Sequence, residues 1–236
     1  MGSEQKVAVI TGASQGIGAE LVKAYRDRNY RVVAIARSMK SGGDPDIIAI
    51  QGDIGDRGTA ERAIAEGLQR FGRIDSLVNN AGLFMAKPFT QYTLDDYNRL
   101  LSVNLNGFFH ITQLAIAEME KQGSGHVVQI TTTLGEFANS AVPSVLASLT
   151  KGGLNAATKS LAIEYARRGI RVNAVSPGII KSPMHPPENY AKLGAMHPIG
   201  HMGEMSDVVE AVLYLETAGF VTGEILHVDG GQSAGR

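Results

Sequence analysis

The sequence predicts an α/β fold, one doubly wound parallel sheet with helices on both faces. Three observations predict it. Short apolar, β-branched runs of strand length alternate along the chain with longer stretches of helical pattern. The first run, Val7-Ala8-Val9-Ile10, leads at once into a glycine-rich turn and then a helix. The length, 236 residues with 44% hydrophobic, suits a single unit of this kind with a sizeable core, so residues 1–236 are read as one domain.

The elements follow in order. Strands are expected at 7–10, 31–36, 47–50, 74–78, 127–130, 170–175 and 225–228. Helical patterns are expected at 19–25, 58–71, 94–121, 143–168 and 206–217. In the second of these, Ala63, Ile64, Leu68 and Phe71 are the inward positions. A short helical stretch near 188–193 interrupts an otherwise irregular segment.

Composition excludes several classes. A net charge of −1 gives no reason to expect nucleic acid or an anionic membrane as partner. With no cysteine, disulfides and thiol chemistry are ruled out, and the histidines lack metal-site spacing, so no metal is expected. No stretch looks like a signal peptide, and none approaches the roughly 18 apolar residues of a membrane span, so a soluble cytoplasmic protein is expected.

The turn after the first strand carries the first chemistry. Gly12, Ser14, Gln15, Gly16, Ile17 and Gly18 lie between a buried strand and a helix N-terminus. Free backbone N–H groups and the partial positive charge there suit a phosphate, and a Cβ at the glycines would hold it away. The order T-G-x-x-x-G-x-G resembles the short-chain dehydrogenase/reductase family, with its Rossmann-type fold. Further segments carry the same resemblance along the whole chain. They are Asn79-Asn80-Ala81-Gly82, Ser102-Val103-Asn104-Leu105-Asn106-Gly107, Thr131-Thr132-Thr133-Leu134-Gly135, Pro177-Gly178-Ile179-Ile180-Lys181-Ser182 and Asp229-Gly230-Gly231.

The resemblance implies NADP(H) as cofactor. Position 36 is alanine, where a carboxylate would bind the free 2′-hydroxyl of NAD. Arg37 follows, with Ser38 beside it, and this pair suits a 2′-phosphate. The resemblance assigns Asp53 and Ile54 to the adenine and Asn80, Ala81 and Gly82 to the cofactor wall, with Asn79 mainly structural. Pro177, Gly178, Ile180 and Ser182 are assigned to the nicotinamide. Asn104 is implied to hold a water linked to the active-site lysine, and Thr132 to bind the reacting oxygen, with Thr131 and Thr133 as neighbouring alternatives. Lys151 matches the lysine of the family's Y-x-x-x-K motif and is implied to bind the nicotinamide ribose.

The chain departs from that motif at one place. Four residues before Lys151 stands Ala147, where the family has its tyrosine acid, and no tyrosine occurs between Tyr97 and Tyr165. Ser144 and Ser148 lie near that helix face, but neither alcohol has the acidity of a phenol. A methyl in place of a phenol is expected to leave a gap able to take a substrate ring or water.

Residues 184–203, with His185, Tyr190, Met196 and His197, read as a substrate lid whose histidines are solvated. The expected function is an NADPH-dependent oxidoreductase acting on a small molecule with a C=O or C=N group, a cyclic imine being one candidate. Glu136 and Tyr190 are the candidates to offset a cationic substrate. The alternative is a non-catalytic NADP(H)-binding sensor or assembly subunit. A homotetramer or homodimer is implied by the resemblance, through the helices near 94–121 and 143–168.

Overall fold

The computed structural model describes residues 5–235. The strands are β1 (Val7–Thr11), β2 (Arg31–Ala36), β3 (Ile47–Gln51), β4 (Ser76–Asn79), β5 (Gly125–Ile130), β6 (Ile170–Pro177) and β7 (Ile225–Val228). The helices are α1 (Gly16–Asp27), α2 (Arg57–Phe71), α3 (Leu94–Leu101), α4 (Gly107–Gln122), α5 (Val145–Tyr165), α6 (Tyr190–Gly194) and α7 (Met205–Thr217).

All seven strands pair in parallel in one sheet, in the order β3-β2-β1-β4-β5-β6-β7. The winding direction reverses between β1 and β4. That switch opens a crevice at the carboxyl ends of the strands, where open α/β sheets take their ligands. One sheet face packs Val9, Val33, Leu77, Val127 and Val172 against α2, α4 and α5. The other packs Ala8, Ile10, Val32, Val78 and Val175 against α1 and α7. Val7, Ala8, Val9 and Ile10 show no exposed surface, so β1 is apolar on both sides because both sides are covered.

Several boundaries differ from the sequence expectation, each for a local reason. Helix α1 begins at Gly16 rather than Ala19, so Gly16, Ile17 and Gly18 form its first turn. Strand β6 runs on through Ser176 and Pro177 because β7 pairs with both. Strand β4 starts at Ser76; Ile74 and Asp75 are held before it by Gln122 and by the carbonyl of Val7.

The long helix expected over 94–121 is continuous but changes pitch. A π-turn at Ser102–Asn106 joins α3 to α4 and carries Asn104. Such wide turns re-aim one side chain without breaking the helix. The segment Leu94–Gln122 is long and apolar enough to cross a bilayer. In this fold its apolar stripe of Ile111, Ala115, Ile116 and Met119 lies in the core.

Candidate active site

The turn after β1 is built by close approach. Gly12 has φ +67°, and a Cβ there would stand 2.9 Å from the Cα of Ala81. A Cβ on Gly18 would stand 2.1 Å from the Gly12 carbonyl oxygen, so this glycine lets α1 sit directly on the turn. Gly16, at φ +58°, has only Pro183 within 4 Å of a Cβ position, at 3.8 Å. Space therefore opens at the N-terminus of α1, where backbone N–H groups lack partners within the helix. Ser14 and Gln15 are exposed there; Ile17 is half-buried and packs its side chain into the core.

Thr11 ties this turn to the end of β4. Its hydroxyl accepts from the N–H groups of Asn80 (3.0 Å) and Ala81 (2.9 Å). The Asn80 amide donates to the carbonyls of Thr11 and Gly12. Asn80 is therefore committed to holding the two strand ends together, a structural role beyond the one expected of it. Asn79, expected to be structural, donates to Thr112 on α4.

Beyond β2, Arg37 and Ser38 are exposed, and the Ser38 hydroxyl donates to that of Ser14 at 3.2 Å. Two hydroxyls thus meet beside the phosphate turn, with Arg37 exposed next to them in sequence. Asp53 is exposed and accepts from the Gly55 N–H at 2.9 Å, an Asx turn. The Ile54 side chain is buried and packs where Gly107 lacks a Cβ, so only its backbone is left to face an adenine.

The reactive end gathers at Gly82. A Cβ there would lie 3.1 Å from Lys151 Nζ and 3.5 Å from Asn104 Oδ1, so the missing side chain lets the two approach. Lys151 Nζ donates to the carbonyls of Ile130 (2.9 Å) and Thr131 (3.3 Å). Burial pushes its pKa down to about 8. Asn104 is buried and its carboxamide is largely occupied: Nδ2 donates to the Leu83 carbonyl and the Thr150 hydroxyl, and Oδ1 accepts from the Leu83 N–H. Its NH2 group thus has no proton left for a relay, and only Oδ1 keeps accepting capacity.

Burial separates the three threonines. Thr131 and Thr133 are buried and donate to the carbonyls of Val175 and Pro177. Thr132 is half-buried, and its hydroxyl accepts only a long bond, 3.4 Å, from the Leu134 N–H. Of the three, Thr132 has the hydroxyl available to a substrate oxygen.

The gap expected at position 147 is closed. Ala147 has no exposed surface, and Leu146 and Ser144 beside it are buried. A phenol there would have to displace packed neighbours. Ala147→Tyr is therefore expected to lower stability by about 1–3 kcal/mol, read as a shift of the urea midpoint. An unchanged midpoint would show that the neighbours yield freely.

The Pro177-Gly178 turn is pinned by a residue of the 184–203 segment. His197 is buried, not solvated as its loop position suggests. Its Nε2 accepts from the Ile179 N–H at 2.9 Å, which places it under the Pro177-Gly178 turn. A Cβ on Gly178 would meet that nitrogen at 2.8 Å and Gln232 Oε1 at 3.0 Å. The Ile180 side chain is buried, and its backbone pairs with Gly203 in a parallel bridge. The far end of the 184–203 segment is thus tied to the turn after β6, while Pro183 to Asn189 stay mostly exposed. Ser182 is half-buried, its hydroxyl accepting a 3.4 Å bond from Met184 N–H; Met196 offers its carbonyl to Gln232. Burial lowers the pKa of His185.

Neither group expected to balance a cationic substrate is free. Glu136 is bonded to His227 Nε2 at 2.7 Å, and Tyr190 lies beside Lys181, which pairs with Glu204. Thr11, Thr150 and Gln232 were not singled out as site residues from the sequence, and His197 was named there only as a solvated lid residue. Thr11 had a signal, as the first residue of the T-G turn; the others act through contacts distant in sequence.

The comparisons with known proteins agree with this fold. A family model described as Enoyl-(Acyl carrier protein) reductase matches residues 10–233. The 3-oxoacyl-[acyl-carrier-protein] reductase of Thermotoga maritima is 32% identical over 246 residues, covering 97% of this chain and 98% of its own. The solved structure of ElxO with NADP bound has a TM-score of 0.91 at 29% identity, covering 98% of this chain and 100% of that one. The 3-ketoacyl-(acyl-carrier-protein) reductase from Brucella melitensis, complexed with NADH, has a TM-score of 0.90 at 29% identity, covering 98% of this chain and 99% of that one. The chain belongs to the short-chain dehydrogenase/reductase family of oxidoreductases.

Proposed function

We propose that this protein is an NADPH-dependent oxidoreductase that reduces a C=O or C=N group of a small molecule without a tyrosine acid. The observation that carries the reading is the meeting of Lys151 and Asn104 at Gly82, one residue from the available hydroxyl of Thr132. The open cradle at Gly16 fits a pyrophosphate, and Ser14, Arg37 and Ser38 fit a 2′-phosphate. NADPH bound there supplies the hydride. Gly82, Pro177, Gly178 and Ser182 would wall the nicotinamide, and Lys151 would hold its ribose.

The chain's residues then have separable tasks. The Thr132 hydroxyl orients the reacting oxygen or nitrogen. Lys151 is the ionisable group at that end, and with a pKa of about 8 it gives up a proton near neutrality. A cyclic iminium ion asks least of this site, because hydride addition yields a neutral amine with no acid.

The test follows NADPH consumption with a cyclic imine, an activated ketone and an enone from about pH 6 to 9. An imine rate that tracks the protonated fraction supports the iminium reading, and ketone turnover without imine turnover sinks it. The buried methyl of Ala147 favours one second reading, a non-catalytic NADP(H)-binding sensor or assembly subunit. That reading requires NADPH binding and no turnover with any of the three.

Cofactor preference is tested separately. Arg37→Ala is expected to weaken NADPH binding by about 1.5–3 kcal/mol, the range of a hydrogen bond to a charged group, and to leave NADH unchanged. Calorimetry reads both, and equal affinities of the unaltered protein for NADPH and NADH would refute the 2′-phosphate assignment. The exposed Phe109, Leu149 and Ile163 on α4 and α5 support self-association as a homotetramer or homodimer, which sedimentation reads.

A further inference from the structure

Two side chains outside the reactive end join the turn after β6 to the loop after β7. They are His197, in the 184–203 segment, and Gln232, near the C-terminus. His197 is 4% exposed, although it lies in an irregular segment next to Pro198. A buried imidazole has to place both ring nitrogens. Nε2 lies 2.9 Å from the Ile179 N–H, and Nδ1 lies 3.4 Å from the Gly194 carbonyl. A backbone N–H can only donate, so Nε2 is the acceptor and the ring proton sits on Nδ1, towards the Gly194 carbonyl.

The turn is shaped to this ring. A Cβ on Gly178 would stand 2.8 Å from His197 Nε2, 3.0 Å from Gln232 Oε1 and 3.0 Å from the Asp229 Cα. Gly178 therefore fits a slot walled by an imidazole, a carboxamide and the loop after β7. Its own N–H donates to the Val228 carbonyl at 3.0 Å. The ring in turn is held from both sides along its chain. Gln232 Nε2 donates to the Met196 carbonyl at 3.3 Å, and the Ile199 N–H donates to the Gly230 carbonyl at 3.1 Å. A Cβ on Gly230 would stand 3.2 Å from the His197 Cβ, so the two backbones lie close. From β5, the Thr133 hydroxyl donates to the Pro177 carbonyl at 3.0 Å, one residue after Thr132. The turn is thus gripped from three elements, and the ring supplies the bond at Ile179.

We propose that His197 is a positioning residue for the nicotinamide end of the cofactor, acting through the Ile179 N–H and the Pro177-Gly178 turn. The assignment rests on the reading that this turn walls the nicotinamide. Gly178 and Ile179 are only half-buried, so packing alone does not fix them. A turn left loose would have to be ordered at the moment of binding, and that entropy is taken from the affinity. A ring already bonded to Ile179 has ordered the turn beforehand. Gln232 shares the task by holding the backbone at Met196, next to the ring. The phosphate turn after β1 is built by other residues, so the two halves of the cofactor should respond separately.

Calorimetry with two ligands, on the unaltered protein and on His197→Leu, tests this. NADPH carries the nicotinamide, whereas adenosine 2′,5′-bisphosphate carries the 2′-phosphate without it. The variant is expected to bind NADPH about 5- to 30-fold more weakly, the effect of having to fix one loosened backbone residue on binding. It is expected to bind the bisphosphate as before. His197→Gln, whose carboxamide oxygen can replace Nε2 as acceptor, is expected to recover most of the NADPH affinity. Equal losses for both ligands in His197→Leu, or no loss for NADPH, would overturn the proposal and leave the cofactor reading standing. Failure of the unaltered protein to bind NADPH would overturn the cofactor reading itself, and the proposal with it. If His197→Leu does not fold, the unaltered protein still decides. NMR of isotopically labelled histidine is expected to show an unprotonated Nε2 at neutral pH. Its resonance should shift on adding NADPH and not on adding the bisphosphate. A proton on Nε2, or a resonance indifferent to NADPH, overturns the proposal.

Discussion

Lys151→Met is expected to cut the reduction of an activated ketone by about 10²–10⁴-fold, the usual worth of a positioned general acid. The side chain is of similar length, so α5 keeps its packing while the ammonium is lost. Lys151 Nζ bridges the carbonyls of Ile130 and Thr131 and nearly touches Gly82, so no other ionisable group named at that end of the site replaces it. The pH dependence separates acid catalysis from simple cofactor binding. With a pKa lowered to about 8 by burial, Lys151 is protonated below that pH and loses its proton above it. Ketone reduction should therefore decline as pH rises through about 8. Lys151→Arg keeps the charge but does not lose its proton in this range, so its slower rate should be flat across the same interval. Calorimetry with NADPH on each variant accounts for lost cofactor binding. A ketone rate in Lys151→Met within a factor of about two of the unaltered protein would exclude Lys151 as the acid, since even weak general acid catalysis exceeds that.

The same residues show how far a sequence carries such an argument. The phosphate turn is legible because its requirement is local. Gly12 and Gly16 need positive φ, Gly18 needs the absence of a Cβ, and all three lie within seven residues. The strands are legible because burial on both faces makes each an apolar run. Ile54 and Ile180 are less legible: a motif gives their positions, but only the fold shows that both side chains are buried. His197 is the clearest limit. A histidine in a polar, proline-rich segment reads as solvated, and only the folded chain brings it beneath Ile179, 18 residues earlier. Ala147 shows the converse. Its identity is plain in the sequence, but whether a methyl leaves a hole depends on the neighbours, and here they close over it. Chemistry that rests on spacing is readable from the chain, whereas chemistry that rests on packing is not.

Glu216→Ala is expected to destabilise the protein by about 3–5 kcal/mol, because four hydrogen-bond donors lose their charged acceptor. Glu216 lies at the far end of the sheet from the crevice, near the C-terminus of α7. Its carboxylate accepts from Tyr25 (3.0 Å), Tyr30 (3.0 Å) and Ser76 (2.7 Å), and from His126 Nδ1 at 2.9 Å. His126 Nε2 faces the Asn173 amide, and burial lowers the histidine's pKa, so the ring is neutral and donates through Nδ1. Burial by itself would raise the pKa of Glu216, but these hydrogen bonds outweigh it and hold the carboxyl at about 2. Because the folded-state pKa lies below the ordinary carboxylate value near 4.5, the stabilisation is present above that pH. It is lost as pH falls from about 4.5 towards 2. Alanine leaves four donors, three of them buried, without this acceptor at every pH, so the variant should be weaker at neutrality and flatter in acid. Urea unfolding at pH 7 and at a series of acidic pH values reads both effects. Glu216→Gln keeps one acceptor oxygen and is expected to lose less. NADPH affinity of the folded variants should not change, because the network and the phosphate turn lie at opposite ends of β1. A loss below about 1 kcal/mol in Glu216→Ala would mean that the four donors find other partners, and that this cluster fixes the arrangement of the strand ends without stabilising it.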